Sequence, residues 1–212
     1  RMIGHRIKAI NKGLEKVRGQ RDQGRRSRRR SEVATISLVG YTNAGKSSLF
    51  NQMTHADTYA ADQLFATLDS TLRRLTLKNC GPVIVADTVG FIKKLPHDLV
   101  ASFRSTLEEA RGAKLLLHVV DASDADWRAQ LAVTQSVLDE LGASDSPMLL
   151  VFNKADRLDP AARAACALEH PEAVVMSALR PEDIQALHAR IVAFFEREMV
   201  DAELFVPYVQ QR

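Results

Sequence analysis

The residues best placed to do chemistry are Gly40-Tyr41-Thr42-Asn43-Ala44-Gly45-Lys46-Ser47, which fit the spacing G-x-x-x-x-G-K-[ST]. That spacing serves phosphate. Gly40 and Gly45 allow backbone angles that a side chain would block. The loop N–H groups, including those of Asn43, Ala44 and Gly45, then face an anion together with the first turn of a helix that contains Ser47 and Ser48. Lys46 should reach the β- and γ-phosphates as a point charge, and the Ser47 hydroxyl should hold Mg²⁺. Two further constellations lie downstream. Asp87-Thr88-Val89-Gly90 ends an apolar run; its carboxylate suits a Mg²⁺ ion held through water, and the Gly90 N–H suits a γ-phosphate. Asn153-Lys154-Ala155-Asp156 ends another apolar run. A carboxylate there can accept from two adjacent N–H donors at once.

These groups need elements to position them. Thr35–Val39 is a short β-branched run that ends at the loop, and residues 47–53 read as the helix after it. Leu72–Lys78 alternates, Asn79-Cys80-Gly81-Pro82 is turn chemistry, and Val83–Ala86 is apolar, so a hairpin is expected. Further strands are expected at Lys114–Val120, Met148–Phe152 and Ala173–Met176. Helices are expected at Ala101–Arg111, at Asp126–Leu141 with Asp124 as its cap, and at Pro181–Met199. Strands alternating with helices of this length predict an α/β fold, a mostly parallel, doubly wound sheet with its ligand at the carboxyl ends of the strands.

With 212 residues and 46% hydrophobic content, the chain can build one good core plus an appendage. The net charge of +3 hides an asymmetry: residues 1–30 hold twelve Lys/Arg against two Asp/Glu, so the remainder is acidic, at −7. Ile3, Ile7, Ile10, Leu14 and Val17 form a heptad-like seam on a basic helix, which requires a partner helix or a second chain. The arginine run Arg25-Arg26-Ser27-Arg28-Arg29-Arg30 reads either as a contact to RNA phosphates or as a solvated linker. No apolar run is long enough to span a bilayer, and nothing resembles a signal peptide. Cys80 and Cys166 match no metal spacing, so a reduced, cytoplasmic protein is the simple expectation. The expected division is a basic helix and linker at 1–31, a nucleotide-binding domain at 32–200, and the start of an extension at 201–212. A chain that opens on Arg1 and carries this unpaired helix is expected to belong to something longer.

Taken together, the three motifs resemble those of the G-protein (Ras-like) superfamily of P-loop GTPases, in which N-K-x-D reads guanine. The resemblance implies that Asp156 binds the base, Asn153 ties the loop together and the Lys154 stem lies over the ring. Ser177-Ala178-Leu179 resembles the S-A-K motif, which implies an Ala178 N–H on the guanine carbonyl; Leu179 stands where lysine is usual. A closer resemblance is to the HflX branch of translation-related GTPases, through Gly40–Ser47, Leu64-Phe65-Ala66-Thr67-Leu68-Asp69, Asp87–Ile92, Leu95-Pro96-His97-Asp98-Leu99 and the basic helix leading into Gln23–Arg26. It implies that Thr67 is the switch threonine completing the Mg²⁺ shell, with Ser70 departing from a common proline. It also implies association with the large ribosomal subunit and its rRNA through the basic arm and switch loops, stimulation of GTP hydrolysis there, and the splitting of stalled or idle ribosomes. An N-terminal domain found in the family precedes the matching region.

Phe91 follows the D-x-x-G glycine, where a water-orienting glutamine is usual; it can neither donate nor accept a hydrogen bond. Asn43 carries two readings: a K⁺ ligand beside the phosphates, or tolerance of turn geometry. His118 is expected to be a satisfied core histidine, Trp127 packing, His97 solvent-facing, and Glu108 and Glu109 a solvated face. Two other functions fit the same residues: a GTP-gated RNA-binding module with little catalysis, and a sister-branch GTPase in ribosome assembly or tRNA modification.

Overall fold

The computed structural model describes residues 33–55, 71–91, 109–143 and 145–197. The chain runs β1 (Thr35–Val39), α1 (Lys46–Thr54), β2 (Thr71–Leu77), β3 (Gly81–Asp87), β4 (Leu115–Asp121), α2 (Trp127–Glu140), β5 (Met148–Asn153), a 3₁₀ turn (Ala155–Arg157), α3 (Pro160–Glu169), β6 (Val174–Val175) and α4 (Pro181–Glu196). The six strands form one sheet in the order β2-β3-β1-β4-β5-β6. Only β2 and β3 are antiparallel, paired from Thr71 opposite Asp87 to Leu77 opposite Gly81. Asn79, with φ 66°, lies in the tight turn between them and tolerates its left-handed backbone, as asparagine does. All other pairings are parallel.

Both faces of the sheet are covered. On β1, Ile36 and Leu38 point to one face, where they meet Leu49, Phe50 and Met53 of α1 and Leu187, Ile191 and Phe195 of α4. Val39 points to the other, with Leu116, Leu138 of α2 and Ala110. Further along that second face, Trp127 sits edge-on to Phe152, with ring centroids 4.9 Å apart, beside Cys166 of α3. Strands buried on both sides read as continuous apolar runs, which is why β1 and β4 stand out in the sequence. β1 lies centrally, with the chain wound to β3 on one side and β4 on the other. That reversal opens a crevice at the carboxyl ends of the strands, where the loops after β1, β3, β4 and β5 meet.

Local expectations fail in two places. Asp124 is not the cap of α2: that position belongs to Asp126, which has no side-chain cap bond. Asp124 instead accepts from the Asp126 N–H at 2.8 Å and from Gln130 Nε2 at 2.7 Å, closing the turn just ahead of the helix. The helix α3 and the turn before it were not expected. α3 buries only Cys166; Asp159 caps it through the Ala162 N–H at 2.7 Å and Pro160 opens it. Of the helix expected at Ala101–Arg111, residues 109–111 are described and helical. The basic arm at 1–31, Leu64–Ser70, Leu95–Leu99 including His97, Glu108's side chain and the apolar tail Phe205–Val209 lie outside the described residues. Cys80 and Cys166 are free thiols. Among the described residues, no helix is long and apolar enough to cross a membrane.

Candidate functional site

The loop after β1 is held from below by the segment that leaves β3. The Phe91 N–H donates to the Gly40 carbonyl at 3.1 Å, and the Thr42 N–H donates to the Phe91 carbonyl at 2.8 Å. Asn43 turns the chain with φ 61°, and Gly45 ends the turn with φ 90° as the residue before α1. A Cβ at Gly45 would lie 2.2 Å from Asn153 Nδ2, so only glycine lets the loop rest against that side chain. Ala44 is buried, Asn43 is exposed, and Ser47 and Ser48 are half-buried in the first turn of α1. The leading amides of a helix have no carbonyl partners within it, so this end presents donors to an anion.

Lys46 is buried, and its Nζ donates to the carbonyls of Gly40 at 3.2 Å and Tyr41 at 2.8 Å. Burial pulls its pKa down to about 8, with the Asp87 carboxylate opposing the change. The ammonium is thus held inside the loop it would share with a phosphate. Ser47 Oγ donates to Asp87 Oδ2 at 2.7 Å, joining the start of α1 to the end of β3. A hydroxyl beside a carboxylate is the hard-oxygen chemistry that suits Mg²⁺, so these two residues fit such an ion. The third expected ligand, Thr67, lies outside the described residues. Thr88 Oγ1 fastens the same segment by donating to the Leu38 carbonyl at 2.6 Å.

Asn153 joins this region to the far side of the crevice. Its Nδ2 donates to the Ala44 carbonyl at 2.9 Å, and its Oδ1 accepts from the Ala178 N–H at 2.9 Å. One buried side chain therefore clamps the phosphate-type loop to the loop after β6. The second bond alters the expectation for Ala178, whose N–H is taken by Asn153; a base carbonyl would have to share or replace that bond. Ser177 is buried, and its Oγ accepts from the Leu179 N–H at 3.2 Å. The Ser177 hydroxyl is also the main reason the exposed Asp156 carboxyl sits below its ordinary pKa. That shift favours the carboxylate form, a hydrogen-bond acceptor. The Leu179 side chain stands in solvent, 73% exposed, at the rim.

Two residues that position the site were not anticipated. Asp121 ends β4 opposite Asn153, and its Oδ2 lies 2.7 Å from Lys154 Nζ, while Oδ1 accepts from Ser123 N–H and Oγ. Lys154, with φ 60°, is therefore pinned at both its backbone and its tip. Asp183, in the first turn of α4, accepts from the Ser177 N–H at 2.8 Å and fixes the last loop. An acid ending an apolar strand, as Asp87 does, was the available signal for Asp121; an acid just after Pro181 was the signal for Asp183.

Three other side chains differ from, or sharpen, their expected settings. Phe91 is 1% exposed, packed with Val39, Ala110 and Leu116, so it belongs to the core rather than to the phosphate region. Glu109 is buried rather than part of a solvated face. His118 is a core residue as expected, but not a satisfied one: neither ring nitrogen has a hydrogen-bond partner among the described residues. Burial, with the nearby Lys46 charge, lowers its pKa to about 4 and keeps it neutral.

Residues 35–154 match the family model described as 50S ribosome-binding GTPase. The chain is 53% identical over 211 residues to the GTPase HflX of Gluconacetobacter diazotrophicus, covering 100% of this chain and 46% of that protein. It is 55% identical over 159 residues to the GTPase HflX of Escherichia coli strain K12, covering 75% of this chain and 37% of the relative. The chain thus spans less than half the length of these curated relatives. Among solved structures, a GTP-binding protein from Sulfolobus solfataricus in complex with GDP superposes with a TM-score of 0.62 at 26% identity, covering 80% of this chain and 54% of that one. A Ras-like P-loop fold, the phosphate-type loop at the end of β1 and these relatives agree: the chain belongs to the 50S ribosome-binding GTPase family, in its HflX branch.

Proposed function

We propose that this chain binds GTP and hydrolyses it to GDP and phosphate with Mg²⁺, as the GTPase module of a protein that acts at the large ribosomal subunit. The observation that carries the reading is the Asn153 clamp, which ties the phosphate-type loop to the loop of Ser177 and Ala178. Residues 32–200 form the nucleotide domain, with a basic helix and linker at 1–31 and an extension from 201. Asn43, Ala44, Gly45 and the first amides of α1, through Ser48, receive the phosphates, and Lys46 neutralises charge on the β- and γ-groups. Ser47 and Thr67 hold the Mg²⁺, and Asp87 holds it through water. When bound, the ion neutralises charge that builds on the phosphate oxygens. The Gly90 N–H meets the γ-phosphate. Asp156 reads the N1–H and 2-amino group of guanine, Lys154 covers the ring, and Ser177, Ala178 and Leu179 frame it.

The relatives named GTPase HflX support hydrolysis, and the family description supports a ribosomal partner. Splitting of stalled or idle ribosomes is the role we assign to the longer protein, with rRNA met by the basic arm. Phe91, buried in the core, leaves the D-x-x-G segment without a water-orienting side chain at the position next to Gly90. That observation favours a second reading, a GTP-gated RNA-binding module with little catalysis. GTP turnover titrated with large ribosomal subunits, in potassium and in sodium, separates them. Stimulation by subunits is expected, and faster turnover in potassium if Asn43 holds K⁺. A fast intrinsic rate that subunits leave unchanged would overturn the ribosome-stimulated enzyme.

A further inference from the structure

We propose that Asp121 is a positioning residue for the nucleotide base: it does not touch the nucleotide, but it holds the tip of Lys154 so that the lysine stem stands ready as the surface on which the purine lies. The inference rests on the GTP-binding reading above and adds a residue to it. Asp121 closes β4 directly opposite Asn153 on β5, so strand pairing alone sets it beside the N-K-x-D turn. One carboxylate oxygen, Oδ2, lies 2.7 Å from Lys154 Nζ. The other, Oδ1, accepts from the Ser123 N–H at 3.0 Å and from Ser123 Oγ at 2.6 Å. With both oxygens engaged, the carboxylate is aimed. The pair is also shielded: the Lys154 and Asp121 side chains are 15% and 13% exposed, so their attraction is screened much less than at an open surface. Arg190 and Glu172 make the contrast, 3.7 Å apart with the Glu172 side chain 99% exposed.

What the pair holds is a side chain that would otherwise be loose. A free lysine samples many rotamers, and a ligand that has to fix them binds more weakly for it. Here the folded chain fixes both ends. The Lys154 backbone is left-handed, with φ 60°. Its neighbours are tied down: the Asn153 carbonyl accepts from the Ala122 N–H at 3.0 Å, and the Ala155 N–H donates to the Met176 carbonyl at 3.0 Å. The stem between those ends passes the phosphate-type loop, since a Cβ added to Gly45 would lie 4.0 Å from Lys154 Cε. Asp156, which reads the base in the proposed function, stands two residues further on, inside the turn Ala155–Arg157. The stem and the base-reading carboxylate thus leave the same short turn. Asp121 moves the ordering of Lys154 from the binding step to the folding step.

The test is a thermodynamic cycle on the full chain. Asp121→Asn keeps the size of the side chain and removes its charge, Lys154→Met keeps a stem and removes the ammonium, and a third variant carries both changes. Calorimetry with GDP and Mg²⁺ should show a roughly tenfold loss of affinity in each single variant, the size expected when the ligand must order one long side chain. The double variant should bind within about twofold of either single one, because both changes undo the same contact. Affinity for pyrophosphate with Mg²⁺, a ligand with phosphates and no base, should stay within about twofold of the parent in all three, since the phosphate-type loop is untouched. Losses that multiply in the double variant, or a loss for pyrophosphate that matches the loss for GDP, would reduce Asp121 to a strap of the fold and overturn the proposal. Should Asp121→Asn not fold, Lys154→Met decides: a tenfold loss confined to GDP supports the proposal, and affinity equal to the parent's overturns it. A parent that binds no guanine nucleotide would overturn the underlying reading. A parent that binds GDP while Asp121→Asn binds it equally tightly would remove the Asp121 assignment alone.

Discussion

Asn153→Ala should be among the most damaging single changes at the site, and its cost can be worked out from the two bonds it breaks. Asn153 is 2% exposed, and the residues it bonds, Ala44 and Ala178, are 0% and 4% exposed. Truncation leaves the Ala44 carbonyl and the Ala178 N–H buried with their shared partner gone. Each such orphan costs about 1–3 kcal/mol, so the two together should cost about 3 kcal/mol once partial relaxation is allowed. The assay is urea unfolding monitored by circular dichroism, with the midpoint falling and the slope unchanged. Leu179→Ala is the control: it removes a side chain that stands in solvent at the same rim, and should stay within about 0.5 kcal/mol of the parent. Because the clamp also sets the distance between the two loops, GDP affinity should fall at least about tenfold in Asn153→Ala, equivalent to about 1.4 kcal/mol. An Asn153→Ala protein as stable as Leu179→Ala would refute the clamp.

Three further outcomes follow from the charges in the crevice. Asp156→Asn should shift preference from guanine toward xanthine nucleotides, measured by competition binding; an unchanged GTP affinity would remove Asp156 from base reading. Lys46 sits at about 8 against an ordinary 10.5, so the free native protein loses this proton as pH rises through 8 while the unfolded chain keeps it to 10.5. Ligand-free stability from this group therefore rises between those two values, GDP affinity falls over the same window, and calorimetry in buffers of different ionisation enthalpy should show proton uptake on binding. His118 has the acid counterpart: an unfolded chain takes its proton below 6.5 and the native one only near 4, so stability is lost as pH falls between them, by up to about 3 kcal/mol. His118→Leu should flatten that acid limb in urea midpoints, and parallel losses in parent and variant would argue against it.

Much of the sheet could be read from the chain because its central strands are buried on both faces and its loops follow strict spacing. β1, the glycine-rich turn and α1 were legible as one unit, and the hairpin of β2 and β3 was announced by Asn79-Cys80-Gly81-Pro82. α3 was the helix not expected, although Asp159 and Pro160, the cap and first residue that open it, stand plainly in the sequence. Asp121 and Asp183 escaped as well. Each acts on a residue brought near by strand order or by a helix start, Lys154 and the Ser177 N–H respectively, and neither pairing leaves a motif. Glu109 departs from expectation because adjacent acids suggest an exposed face, whereas this one is buried. The Ala178 N–H illustrates the limit of motif reading: the residue stands where expected, but the group it bonds was decided by the Asn153 rotamer.

The most direct test of the central claim is calorimetric titration of the purified chain with GDP, GTP, ADP and ATP in the presence of Mg²⁺. Saturable binding of both guanine nucleotides, abolished by Lys46→Ala and not competed by either adenine nucleotide, is the predicted result. No uptake of guanine nucleotide, or equal uptake of the adenine ones, would contradict it.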